Sequence, residues 1–188
     1  TSLYISFPST QRMIGVNEII KKVKTLHLPD LGSKENHRLK TLIEKKIDLR
    51  RKIYDHAQIN FLSHIKEQNN SKSFSVLWPP KNNRTKEGLV IKVTLGRYSI
   101  LLGGDTTVAT WKKIIAHHGE EVLKSTVLHA PLHGKPRGMN TDILQIINPV
   151  YVIIPVIGNE CVSSLYFGQN FHLYFSNSYE SINLSFGN

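Results

Sequence analysis

The side chains able to ligate a metal or carry a proton include nine histidines, fourteen carboxylates and one cysteine, and spacing decides which of them can act together. His129 and His133 flank Pro131 in a turn, so their rings can approach one another and share an ion or a proton. His117 and His118 are neighbours, and on a helix adjacent rings diverge by about 100°, which prevents chelation of one ion. The bland alternative for all four is a solvated position in a loop or on a surface. Cys161 has nothing in the sequence to orient a histidine toward it and reads as an idle or buried thiol. Asp105 follows Gly103-Gly104 and precedes Thr106-Thr107, a place from which a carboxylate caps a helix N-terminus. The basic loop Gly134-Lys135-Pro136-Arg137-Gly138 offers backbone N–H groups to an anion. Lys40, Lys45, Lys46, Arg50, Arg51 and Lys52 are the best candidates for phosphate contacts. Glu44, Asp48, Asp55 and Glu67 are interspersed with them, which also fits a plain solvated face.

Whatever chemistry these groups carry needs a scaffold, and 188 residues suffice for one domain with a real core. At 40% apolar and 20% charged residues the composition is that of a globular chain, which excludes wholesale disorder. One cysteine excludes an internal disulfide and suits a reducing, cytoplasmic setting. No apolar run reaches the roughly 20 residues of a membrane span. The formal charge of +10 favours anionic partners such as nucleic acid, although a lysine-rich solvated surface gives the same balance. The chain opens at Thr1 with strand-like sequence and no initiator methionine, and so reads as a fragment, a processed chain or one piece of a split protein.

Hydrophobic periodicity predicts the elements that position these groups. Residues 2–6 read as a strand. Val16, Ile19, Ile20 and Val23 fall at helical spacing, and Thr25 to Leu28 form a second strand. A long charged helical stretch follows from Asn36 to about Gln68, with Leu39, Leu42, Ile43, Ile47, Ile53, Ala57 and Leu62 as a drifting apolar stripe. Asn69 to Ser73 is a loop. From Phe74 strands dominate: 73–78, then 89–94 and 98–102 joined by a hairpin turn at Leu95-Gly96-Arg97. A helix is expected over 108–117, a short one near 120–123, a strand over 125–130, a Gly/Pro loop over 131–140, a helix over 142–147 and a buried strand over 151–157. Residues 171–175 and 181–186 alternate like a terminal hairpin. Interleaved strands and helices make a layered α/β domain.

Several segments, in order, resemble the metallo-β-lactamase superfamily, and in particular the branch found in competence DNA-uptake channel proteins. Ser73-Phe74-Ser75-Val76-Leu77-Trp78-Pro79-Pro80, with Asn82 or Asn83 and then Leu89 to Val93, resembles that branch's strand, double proline and following strand. Ser99 to Asp105 looks like its Leu-Leu-x-Gly-Asp turn. Ser125 to Lys135 looks like its strand and His-His-Gly loop, and Ile143 to Pro155 like its next helix and strand. Leu3 to Asn17 then stands where the family carries its His-x-His-x-Asp-His motif. Phe7, Ser9, Gln11 and Arg12 occupy the four ligand positions of that motif, and Leu132 the ligating position of the His-His-Gly loop. Asp105 keeps the place of the bridging aspartate, and His133 remains beside Leu132; a register one residue different would make His133 the ligand.

The resemblance implies an αββα metallo-β-lactamase-like sandwich, incomplete at the N-terminus. A single domain over 1–188, about the C-terminal two-thirds of such a fold, would carry a helical insert over about 36–68. Catalytic zinc takes three protein ligands and one water, and neither Phe7 nor Arg12 is a practical ligand. No resident cofactor is therefore expected; the alternative is zinc or manganese at a residual site of Asp105, His129 and His133 or at a composite one. The implied function is that of a pseudoenzyme, a structural or regulatory subunit in a protein complex. Its alternatives are part of a composite nuclease-like hydrolase and a nucleic-acid-binding module using Lys45, Lys46, Arg50, Arg51, Lys135 and Arg137. The first strands of the sandwich are absent from the sequence, so the expected partner is another chain, or a missing N-terminal fragment, covering the open sheet.

Overall fold

The computed structural model describes residues 2–4, 25–29, 37, 58–62, 66–69, 72–79, 88–156 and 161–176. Three short parallel strands, β1 (Ser2–Tyr4), β2 (Thr25–Pro29) and β3 (Gln58–Leu62), pair in that order into one sheet. The second sheet has seven strands among the described residues. It begins with β4 (Lys66–Asn69), β5 (Lys72–Trp78), β6 (Val90–Leu95) and β7 (Tyr98–Leu102), each antiparallel to the next within this set. The chain then crosses by helix α1 (Val108–His118) to β8 (Val127–His129), and by helix α2 (Thr141–Ile147) to β9 (Tyr151–Ile154). Strand β10 (His172–Phe175) completes the order β10-β9-β8-β7-β6-β5-β4 among the described residues. Short connections produce antiparallel pairs and helical crossovers produce parallel ones, so β7 through β10 are parallel.

Each helix is bounded by its own sequence. Thr107 caps α1, its hydroxyl accepting from the Thr110 amide, and Gly119 ends the helix at φ +80° with its N–H on the Ile115 carbonyl. Asn140 caps α2 through Oδ1 at 3.1 Å from the Ile143 amide, and Asn148 closes it in the left-handed conformation that Asn tolerates. Trp111 and Ile114 of α1, with Ile143, Leu144 and Ile147 of α2, pack on Leu77, Val90, Leu101, Leu128, Val152 and Ile154 of the sheet. Burying each of these large side chains stabilises the fold by about 1.5–3 kcal/mol.

Alternation along the strands sends the other residues to the opposite face. Register aligns Val76, Ile91, Leu102, His129, Ile153 and Tyr174 in one row across that face, and Phe74, Val93, Ile100, Val127, Tyr151 and His172 in the next. Val76, Leu89 and Ile91 form a small buried cluster there, with Phe74 against it. Farther along, this apolar face is open: Val93 is 36% exposed, Ile100 38%, Leu102 36% and Leu95 55%.

The structure corrects the expected elements in several places. The helical reading of 36–68 fails at its end, because 58–62 and 66–69 are strands. Ile59 and Phe61 alternate at period two, and Lys66 to Asn69 pair residue by residue with Lys72 to Ser75. Pairing overrides the helix-favouring composition there. Of the rest of the expected insert only His37 is described, and it is helical. The expected loop over 69–73 shrinks, since strands reach Asn69 and resume at Lys72. The strand expected to run to Ile157 ends at Ile154. β10 pairs parallel with β9; 181–186, the other arm of the expected terminal hairpin, lie outside the described residues, as does the helix expected over 16–23. The hairpin at Gly96-Arg97 and helices α1 and α2 lie where periodicity places them.

Candidate functional site

The turn after β7 and the loop after β8 meet where the strands end. Gly103 donates to the His129 carbonyl at 3.2 Å, and Leu132 donates to the Gly104 carbonyl at 2.9 Å, which brings the Gly103-Gly104-Asp105 turn against the Pro131–Gly138 loop. The Ala130 amide bonds the Ile153 carbonyl at 2.8 Å, tying the same loop to β9. From α1, the buried Trp111 indole donates to the Gly138 carbonyl at 3.0 Å. The Ser163 amide donates to the Gly134 carbonyl at 2.8 Å.

Within this loop Leu132 (φ 47°, ψ 39°) and His133 (φ 56°, ψ 32°) are both left-handed. For non-glycine residues that conformation costs about 1–2 kcal/mol each and persists only where the surroundings impose it. The next residue must be glycine for a second reason: Gly134 has φ +74°, and a Cβ there would lie 2.8 Å from the Ile154 Cγ2. At Gly138 a Cβ would approach the Pro131 carbonyl oxygen to 2.9 Å, so the loop closes on itself too tightly for a side chain.

The candidate residues of the sequence fall as follows. Asp105 is half-buried in the turn, and the helix cap is Thr107 rather than Asp105, because the chain makes one more turn, Thr106 N–H to Gly103 carbonyl, before α1 begins. His129 ends β8, half-buried on the open face of the sheet. Burial, and secondarily the neighbouring His133, hold its pKa below the ordinary value, so it is neutral at pH 7. His133 is half-buried, and its Nδ1 donates to the Pro155 carbonyl at 2.7 Å, which fixes the Nδ1–H tautomer. Leu132 stands beside it. Lys135 is half-buried and Arg137 exposed. The amides of Lys135 and Gly138 are turned inward onto the Leu132 and Lys135 carbonyls. His117 and His118 meet edge-on at 4.6 Å between ring centroids; His118 Nε2 reaches the Leu77 carbonyl at 3.1 Å, an anchor for α1. Cys161 is exposed. Phe7, Ser9, Gln11, Arg12, Lys45, Lys46, Arg50 and Arg51 lie outside the described residues.

Among the described residues no three His, Cys, Asp or Glu side chains come together in a way that could hold a metal ion. Asp105, His129 and His133 are all described, so they do not form such a group. Thr106, wholly buried, has a hydroxyl without a hydrogen-bonding partner among the described residues, but a neutral oxygen beside one carboxylate is not a zinc site. Among the described residues, therefore, no ligand set fits a catalytic metal.

Two positions escape a reading of sequence. Trp111 reads as a core residue, and its polar edge gives no sign of the Gly138 carbonyl it serves. Lys92, in the middle of an apolar strand, lies on the helix side and donates to the Val122 and Lys124 carbonyls at 2.9 and 2.6 Å. A lone charge in a buried strand is the signal that marks such an internal cap.

No protein-family model matches the chain, and no curated protein sequence does. Solved structures do match. A diphosphatase from the PhnP family aligns over 99% of this chain and 71% of its own, at 10% identity and a TM-score of 0.57. The metallo-β-lactamase fold protein YhfI from Bacillus subtilis aligns over 93% of this chain and 73% of its own, at 11% identity and a TM-score of 0.55. CmlA, a diiron β-hydroxylase from Streptomyces venezuelae, aligns over 81% of this chain at 15% identity and a TM-score of 0.50; this chain spans 34% of that protein's length. Likeness at such identities carries the architecture and not the activity, and the conclusion it supports is that this chain has a metallo-β-lactamase fold.

Proposed function

We propose that this chain is a catalytically degenerate metallo-β-lactamase-fold protein that works as a structural or regulatory subunit of a cytoplasmic protein complex. The observation that carries the reading is the loop after β8. Leu132 occupies the ligating position implied by the family resemblance, and no three candidate ligands converge among the described residues. The replacements at Phe7, Ser9, Gln11 and Arg12 support it from the sequence side. The open patch of Val93, Leu95, Ile100 and Leu102 supports a protein partner or a further N-terminal segment lying on the sheet. No helix among the described residues is long and apolar enough to cross a membrane.

The test is hydrolysis of bis-p-nitrophenyl phosphate with added zinc or manganese. The expected rate equals that of the metal alone; a faster rate that disappears in Asp105→Ala overturns degeneracy.

A second reading is favoured by the survival of Asp105 in its turn and by a neutral His129 close enough to feel His133. It makes the chain one part of a composite metal-dependent hydrolase whose remaining ligands come from elsewhere, acting on nucleic acid as the +10 charge favours. Salt-dependent binding of random DNA supports that substrate class, and no binding at low salt removes it.

A further inference from the structure

Resting on the reading that no metal sits at the strand ends, we propose that His133 acts as a hydrogen-bonded strap that does the holding a metal would otherwise do. Its ring fastens the Pro131–Gly138 loop to the end of β9, which makes the fold independent of divalent ions. By the family resemblance a metal would be held from the turn after β7, at Asp105, and from the loop after β8, at Leu132. In this chain hydrogen bonds join those two segments to each other and to the chain beyond β9: Gly103 to the His129 carbonyl, Leu132 to the Gly104 carbonyl, and His133 Nδ1 to the Pro155 carbonyl at 2.7 Å. The last of these is the shortest, and it alone in the set comes from a side chain. It also acts where holding is needed, since Leu132 and His133 are consecutive left-handed residues that relax unless something retains them. Gly134 packs beneath the strap against Ile154, and Trp111 grips the far end of the loop through the Gly138 carbonyl. His133 is thus a positioning residue of the fold.

The test is thermal unfolding of the full chain as purified, after dialysis against EDTA, and with added zinc, for wild type and three variants. His133→Ala removes the ring. His133→Gly removes it and also relieves the left-handed backbone. His133→Asn tolerates the backbone and keeps an N–H donor at nearly the same place. The strap requires Tm to fall by about 3–8 °C in both the Ala and the Gly variants, to recover most of the way in Asn, and to ignore EDTA and zinc throughout. Wild-type Tm in the Ala and Gly variants, with no response to zinc, overturns the strap and leaves the degenerate reading standing. A wild-type Tm that rises with zinc, with the response lost in His133→Ala, overturns both, because His133 is then a ligand. Should the Ala and Gly variants fail to fold, the nitrogen resonances of the His133 ring in wild-type protein decide: the strap requires the Nδ1–H tautomer, and the Nε2–H tautomer excludes it.

Discussion

At the scale of single residues, the loop after β8 shows how a side chain's role depends on what its backbone and neighbours permit. His129 and His133 are four residues apart, and the turn that makes them neighbours in sequence also gives them different tasks. His133 is committed through Nδ1 to a carbonyl, while His129 ends a strand on the open face with its charged form disfavoured, first by burial and then by His133. The consequence for stability has a definite sign. Between the depressed value and about 6.5 the unfolded chain binds a proton at His129 that the folded chain refuses, so stability rises with pH across that window and levels off above it. Urea unfolding from pH 5 to 8 is expected to show this slope, at most about 1.4 kcal/mol per pH unit from this group. His129→Gln is expected to flatten it by that share, and an unchanged slope would locate the effect in another histidine. Sequence alone put His129 and His133 together and found Asp105 in its turn. It did not distinguish their roles, because the Pro155 carbonyl that engages His133 is 22 residues away and belongs to the backbone, which sequence does not label.

At the scale of elements, legibility followed burial. Helices α1 and α2 and the β6–β7 hairpin were plain in the sequence because each has one dry side and a turn or cap residue at each end. The structure departs from periodicity where pairing partners settle the matter: β3 and β4 are strands in a stretch whose composition favours helix. Such pairings depend on residues distant in the chain, and a local periodicity has no access to them. The indole of Trp111 is the element-scale contact with the clearest consequence, since it joins α1 to the loop through one buried hydrogen bond. Trp111→Phe retains most of the apolar volume but leaves the Gly138 carbonyl unpaired, a cost of about 1–3 kcal/mol. The expected readout is a Tm lower by about 2–8 °C with unchanged far-ultraviolet circular dichroism. A variant as stable as wild type would mean that another donor takes the carbonyl.

At the scale of the whole molecule, the two faces of the seven-stranded sheet are unequal. One is sealed by α1 and α2, whereas the other keeps Val93, Leu95, Ile100 and Leu102 in contact with solvent across β6 and β7. Apolar side chains arranged in rows on a regular sheet are the surface on which a second layer packs. Leu95→Glu with Ile100→Glu is therefore expected to leave Tm within about 2 °C of wild type while abolishing co-elution with the protein partner proposed for this face. Loss of folding in that double variant would show instead that the chain itself covers this patch. Sequence revealed the superfamily resemblance and the architecture that goes with it, and solved structures of that fold align with the chain. Its reading of what replaced the ligands rests partly on residues 7–12, which lie outside the described residues, and partly on Leu132, whose setting is now visible.

Metal content of the protein, purified without chelator together with whatever co-purifies and measured by inductively coupled plasma mass spectrometry, bears most directly on the degenerate reading. The expected result is zinc, manganese and iron at background, well below one ion per chain. A near-stoichiometric metal would contradict it and turn attention to Asp105, His129 and His133 as ligands, alone or with those of a partner.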